Sequence, residues 1–230
     1  MTAELKSTQN SEPLQEESEQ WKQAYRDPQL IARRRRKHAT KLNRLGILDW
    51  DRNVPTLDLC CGTGEVLRIL RDGGFSALHG TDVTVDDALR SEPGIQTEIS
   101  DSRKLPYADG TFGQILCLHS LHHLGGVDGI AAALKEAYRV LKPEGRLALV
   151  DHFDSKQLRL AFWLCRQPWF AWPTSGLRSF RSQLNEEWPY LSVYLDAWPD
   201  VRKLVNDESR YSVERDQRGL FFFYWVGKKK

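Results

Sequence analysis

Nothing in this 230-residue chain approaches the ~20 consecutive apolar residues that a membrane-spanning helix needs, so no span is expected. The first thirty residues are polar and acidic and lack the apolar stretch of a signal peptide. No C-x-x-C pair occurs. Cys60, Cys61, Cys117 and Cys165 have no histidine at zinc spacing, which argues for free thiols in a reducing cytosol and against a metal site. An excess of one charge is missing as well: 33 Lys and Arg stand against 31 Asp and Glu, and a net +2 does not call for a nucleic-acid partner. No repeat of solenoid length is present. What remains is the composition of a globular protein, 40% hydrophobic and 28% charged, with the length of one domain plus appendages.

The character of the chain changes along its length. Residues 1–20 hold Glu4, Glu12, Glu16, Glu17 and Glu19 against Lys6 without apolar periodicity, which predicts a disordered acidic tail. Residues 21–50 read as an N-terminal helical lid. Trp21 and Tyr25 share one helix face there, and Arg33-Arg34-Arg35-Arg36-Lys37 reads as a solvated helix face, or alternatively as a mark of nuclear import or of an anionic surface. Residues 51–154 alternate short apolar runs with helical stretches. Strands are expected at Thr56–Cys60, Ala77–Asp82, Gln96–Ser100, Gly113–His119 and Arg146–Asp151, with helices at Gly64–Asp72, Val85–Arg90 and Asp128–Leu141. That alternation predicts an α/β fold with a doubly wound, mostly parallel sheet and a ligand at the carboxyl ends of its strands. Residues 155–206 form a helical, aromatic-rich insertion, holding five of the eight tryptophans: Trp163, Trp169, Trp172, Trp188 and Trp198. Residues 207–230 read as a closing β-hairpin with a basic tail, the strand falling at Leu220–Val226.

The most informative stretch is Thr56-Leu-Asp-Leu-Cys-Cys-Gly-Thr-Gly-Glu-Val-Leu67, in which a strand turns through Gly62 and Gly64 into a helix. Glycine lets the backbone adopt positive φ and approach a ligand closely. A dinucleotide fingerprint would carry a third glycine where Leu67 stands. Asp58 also sets a carboxylate at the loop mouth, which would repel a pyrophosphate and attract a cationic nucleoside, or alternatively serve the helix N-terminus. Asp82, followed by Val83, closes the next strand and suits either a ribose or a helix cap. Asp101 and Ser102 follow the third strand, where they reach an adenine edge or simply make a polar turn.

With these pieces in order the sequence resembles a class I S-adenosylmethionine-dependent methyltransferase, nearest to the branch of ubiquinone and menaquinone biosynthesis. Leu57-Asp-Leu-Cys-Cys-Gly-Thr-Gly64 resembles the first motif, Gly80-Thr-Asp82 the ribose segment, Asp101–Phe112 the adenine-side loop and Leu141-Lys-Pro-Glu-Gly-Arg-Leu147 the turn into the fifth strand. The resemblance implies a seven-stranded Rossmann-like sheet, ordered 3-2-1-4-5-7-6, with an antiparallel closing strand. It implies S-adenosylmethionine as cofactor, held by Tyr25, Asp58, Cys60, Gly62, Gly64, Asp82, Val83, Asp101, Ser102 and His119. Two departures stand out: Cys60 replaces the first glycine of the motif, and Gly113 stands where an aspartate often follows the Phe.

Methyl transfer from a sulfonium chiefly requires alignment, and a base only where the acceptor arrives protonated. His119, His122 and His123, in Cys117-Leu-His-Ser-Leu-His-His-Leu124, are the first candidates; Asp151 and His152 after the fifth strand are the second. Cofactor shaping, capping and packing are the competing roles of these histidines. The aromatic insertion suggests a small aromatic or apolar acceptor bound beneath it. Ordinary core packing, and peripheral membrane contact through Trp and Phe beside Arg159, Arg166, Arg178 and Arg181, are its alternatives. The rival functions are an RNA methyltransferase, a nicotinamide-dependent oxidoreductase and a non-catalytic nucleoside-binding protein.

Overall fold

The computed structural model describes residues 28–171 and 173–230. The acidic segment 1–20, Trp21, Tyr25 and Trp172 lie outside the described residues.

Seven strands form one sheet in the order β3-β2-β1-β4-β5-β7-β6. They are β1 (Thr56–Leu59), β2 (Leu78–Asp82), β3 (Ile95–Ile99), β4 (Phe112–Leu118), β5 (Leu141–His152), β6 (Tyr211–Arg218) and β7 (Phe222–Lys229). The first five are parallel, β7 runs antiparallel to β5, and β6 antiparallel to β7. The order and the antiparallel closure are those the resemblance implied. Strand order reverses between β1 and β4, so the carboxyl ends of β1, β2, β4 and β5 open on one crevice, where doubly wound sheets bind ligands.

Alternation along the central strands explains why both faces of the sheet are covered. Ile115, Cys117, Leu147, Leu149, Phe223 and Trp225 point to one buried cluster. Leu116, Leu118, Ala148, Val150, Tyr224 and Val226 point to the other. The first cluster takes in helix α4 (Gly126–Val140) and the helices that follow β5. The second takes in α1 (Pro28–Leu45), α2 (Glu65–Asp72) and the short α3 (Asp87–Arg90). Within α1, Arg33, Arg36 and Lys37 are exposed and Arg35 pairs with Asp72 of α2, so the basic run lies largely on a solvated face.

Between β5 and β6 the chain is helical: α5 (Lys156–Arg166), α6 (Pro168–Ala171), α7 (Ser175–Asp196) and α8 (Trp198–Val205). Two of these begin on hydroxyl caps. The Leu158 amide donates to Ser155 Oγ at 3.1 Å, and the Leu177 amide to Thr174 Oγ1 at 3.1 Å.

The boundaries shift at three places. The fifth strand starts at Leu141, which pairs with Phe112, and the ladder slips between Phe112 and Gln114 to accommodate Lys142-Pro143-Glu144-Gly145. Glu144 there has φ +64°, so the breakers form a bulge rather than ending the element. The third helix starts at Asp87, because Asp86 Oδ1 accepts from the Ala88 amide at 2.8 Å; the cap is Asp86 and not Asp82. The last strand runs later than expected, to Lys229, and Lys229 Nζ donates to the Tyr138 and Leu141 carbonyls at 2.6 and 2.7 Å.

Candidate active site

The loop after β1 is set by three left-handed residues, Cys60, Gly62 and Gly64, at φ +60°, +51° and +77°. Cys60 therefore holds, at a conformational cost, a backbone shape that glycine would hold freely. Open space lies where a Cβ on Gly62 would stand, whereas a Cβ on Gly64 would collide with the Leu89 side chain. A side chain at Gly62 would thus meet only open space, and Gly64 keeps room for α3. Gly113 is explained in the same way, since its Cβ would stand 3.1 Å from Val54 Cβ.

Asp82 braces this loop. The Gly62 amide donates to its Oδ2 at 2.8 Å and the Thr84 amide to its Oδ1 at 3.2 Å, which leaves a further lone pair on each oxygen; Val83 beside it is exposed. Asp58 lies beneath, 3% exposed. Burial first, and the Asp82 charge second, push its carboxyl up to about 8. A carboxyl so held is neutral at pH 7 unless a cation arrives to ionise it. Asp101 turns onto its neighbour: its carboxylate accepts from the Arg103 amide at 2.8 Å and pairs with the Arg103 guanidinium, which holds it below the usual range. Ser102 beside it is buried.

Across the crevice, the ends of β4 and β5 are tied together by Asp151, which is fully buried. It accepts from the Leu121 amide at 2.8 Å, the His152 amide at 2.7 Å and His122 Nδ1–H at 3.0 Å. Burial opposes a charge on His122, yet the Asp151 charge and hydrogen bond outweigh it and raise the imidazole above its ordinary value. The same partner holds Asp151, against its own burial, far below the usual carboxylate range. Each partner thus favours the charged form of the other.

The other imidazoles are neutral. Burial and the nearby Lys41 hold His119 well below its ordinary value, and burial takes both His123 and His152 down to about 4. His119, at φ +60° on the turn after β4, sits with its ring centre 4.8 Å from that of Phe222 and 6.0 Å from that of His152. Its Nε2 accepts from the Lys41 ammonium, which reaches in from α1 and lies 4.5 Å over the Phe222 ring. Burial, then Lys37, lower that ammonium to about 8. His152 donates Nδ1–H to the Phe221 carbonyl at 3.3 Å, which fixes its tautomer and leaves the Nε2 lone pair available. His123 packs behind, its ring 4.1 Å from His122 and 6.0 Å from Tyr190.

The region after β5 walls this group. Phe162 of α5 lies 5.3 Å from the His152 ring, Tyr194 of α7 lies 6.0 Å from His122, and the Tyr194 hydroxyl donates to the His152 carbonyl at 2.9 Å. One ligand atom each of His119, Asp151 and His152 falls within 4.8 Å of the others, close enough to share a cation. The Lys41 ammonium already occupies His119 Nε2 and three donors already occupy Asp151, so these groups form an amine–imidazole–carboxylate network instead.

Of the residues singled out in sequence, Asp58, Cys60, Gly62, Gly64, Asp82 and Val83 gather at one side of the crevice, and His119, His122 and His123 at the other. Lys41, Phe162, Tyr194 and Phe222 were not singled out as site residues. Lys41 lies in a basic helix like any other lysine there, and its only signal is its spacing of four from Lys37, which turns the two along one face.

A family model described as a methyltransferase domain matches residues 57–149. The chain is 29% identical over 167 residues to the 2-phytyl-1,4-naphtoquinone methyltransferase of Thermosynechococcus vestitus, covering 68% of this chain and 72% of that one. It is 34% identical over 101 residues to the ubiquinone/menaquinone biosynthesis C-methyltransferase of Desulfotalea psychrophila, covering 41% and 40%. Among solved structures, the magnesium protoporphyrin IX methyltransferase of Synechocystis with bound SAH shares the fold at TM-score 0.60 and 16% identity, over 92% of this chain and 93% of that one. The glycine loop, the strand order, the methyltransferase-domain match and these relatives together support a class I S-adenosylmethionine-dependent methyltransferase.

Proposed function

We propose that this enzyme methylates a small aromatic acceptor bearing a hydroxyl, of the quinol or phenol class. The observation that carries the reading is the neutral His152, its tautomer fixed by Phe221, set among the rings of Phe162 and Phe222 at the end of β5. The quinone-directed names of the curated relatives support the same class.

The cradle fits the cofactor. Gly62 leaves space at the loop, and the buried Asp58 favours a cation. In this reading Asp58 meets the positive end of the cofactor, Asp82 accepts its ribose hydroxyls and Val83 offers an apolar surface to its base. Asp101 and Ser102 stand at the base edge, and the backbone through Cys60 and Gly62 shapes the loop. S-adenosylmethionine supplies a methyl on a sulfonium, an electrophile open to in-line displacement.

The protein's own groups then do the rest. His152 Nε2 takes the hydroxyl proton, His119 lines the gap between cofactor and acceptor, and the His122–Asp151 pair holds the turn after β4 in place. Lys41 draws the acceptor oxygen toward the anionic form that attacks. Phe162, Phe222 and Tyr194 bury the ring of the acceptor and exclude water. Transfer of labelled methyl to reduced menadione at pH 8 tests this: incorporation into the quinol is expected. Incorporation into RNA, with none into the quinol, would overturn it.

A further inference from the structure

We propose that the outer end of the helical region between β5 and β6 docks on a bilayer of anionic phospholipid. Residues 155–185 carry five basic side chains, Lys156, Arg159, Arg166, Arg178 and Arg181, and no Asp or Glu at all, in a chain otherwise balanced at 33 against 31. Large apolar side chains stand out of the same stretch. On α5, Leu158 and Phe162 are buried while Leu160 and Trp163, on another face, are 58% and 55% exposed. Trp169 of α6 is 63% exposed and Phe180 of α7 is 43% exposed.

Two contacts bring these groups to one end of the region. Arg181 Nε donates to the Arg166 carbonyl at 2.7 Å, and Arg166 Nε donates to Asn185 Oδ1 at 3.0 Å. They hold the end of α5 beside the first half of α7, so Trp163 and Trp169 share that end with Phe180. The aromatic side chains that wall the histidine cluster are different ones, Phe162, Tyr190 and Tyr194. Neither core packing nor the acceptor wall therefore accounts for the exposed set, and exposed apolar surface in one place marks an interaction site.

The charge chooses the partner. Indole and phenyl rings settle at the boundary between acyl chains and headgroups, while arginine keeps its guanidinium among the phosphates. Arg159 is paired with Asp154 and Asp196, but the same stretch of 31 residues has no acid of its own and also carries Lys156, Arg166, Arg178 and Arg181, and that excess matches a negatively charged leaflet. The proposal stands whatever the acceptor proves to be.

Co-sedimentation with vesicles tests it. The full chain is expected to pellet with phosphatidylcholine vesicles containing phosphatidylglycerol but not with pure phosphatidylcholine, and high salt should release it. The double variant Trp163→Ser, Trp169→Ser should lose at least tenfold in vesicle affinity while keeping its melting temperature and S-adenosylmethionine affinity. No pelleting with the anionic vesicles, equal pelleting with neutral ones, or unchanged pelleting of the double variant would each overturn the proposal. So would a lipid-free dimer that the double variant dissolves in analytical ultracentrifugation, because a second copy would then be the occupant.

Discussion

At the carboxyl ends of β1 and β2 the site is made of backbone: three left-handed residues in a row of five, one carboxylate that braces their amides and another buried beneath. At the ends of β4 and β5 it is made of side chains that come from α1, the turn after β4, the end of β5, α5, α7 and β7. The first half is local in sequence and, in the proposed reading, holds the cofactor. The second is assembled from distant pieces, and its polarity is bound up in the His122–Asp151 pair, which also fastens the fold. The difference teaches where function and stability separate. On the cofactor side a change should strike binding, whereas on the acceptor side it should strike folding or turnover.

The largest effect should therefore come from the fastening. Asp151→Ala leaves the His122 imidazole, the Leu121 amide and the His152 amide buried without their acceptor. Breaking such a pair costs about 3–5 kcal/mol, to be read from chemical denaturation. A loss well under 1 kcal/mol would mean that Asp151 is incidental to the fold and that the contrast between the halves is overstated.

The next effect is a pH dependence on the cofactor side. Asp58 is held up to about 8, so below that pH it carries a proton that a cationic ligand must displace. Affinity for S-adenosylmethionine should rise with pH and level off above 8, with a slope approaching tenfold, about 1.4 kcal/mol, per unit on the acid side. Asp58→Asn should flatten the profile measured by calorimetry. A flat profile in the parent would show that Asp58 is not the group facing the positive end.

Gly62→Ala is the gentler cut. Open space receives the methyl, so only the left-handed φ of +51° is opposed, at about 1–2 kcal/mol, and the melting temperature should fall slightly. Binding should fall further than stability, because the methyl enters the space kept for the ligand. Loss of stability with affinity intact would place the ligand elsewhere.

The contrast also explains what could be read from the chain itself. The glycine loop, Asp58 and Asp82 were legible because turn chemistry and strand ends are local patterns, and the sheet order followed from the family resemblance. The histidines after β4 could be named but not ranked, since their protonation depends on Lys41 and Asp151, which topology alone brings to them. The aromatic insertion could not be divided by composition. The structure splits it: Trp198 and Tyr194 are core, Trp188 is partly buried, and Trp163 and Trp169 face outward. Neighbouring residues such as Phe162 and Trp163 fall on different faces, one buried and one exposed, because a helix turns by about 100° per residue. The helix before the fifth strand ends at Val140, within a residue of its expected end, but the strand begins at Leu141 rather than Arg146 because a bulge carries it through Pro143 and Gly145.

The most direct test of the division is a matched pair of variants, Asp82→Ala and His152→Gln, each measured for S-adenosylmethionine affinity by calorimetry and for methyl transfer to reduced menadione. The account predicts that Asp82→Ala weakens cofactor binding by about 1–3 kcal/mol through its lost hydrogen bonds. His152→Gln should leave that affinity within twofold and lower turnover by about a hundredfold or more, the contribution of a positioned base. Unchanged turnover in His152→Gln, or cofactor affinity that falls in His152→Gln and holds in Asp82→Ala, would contradict it.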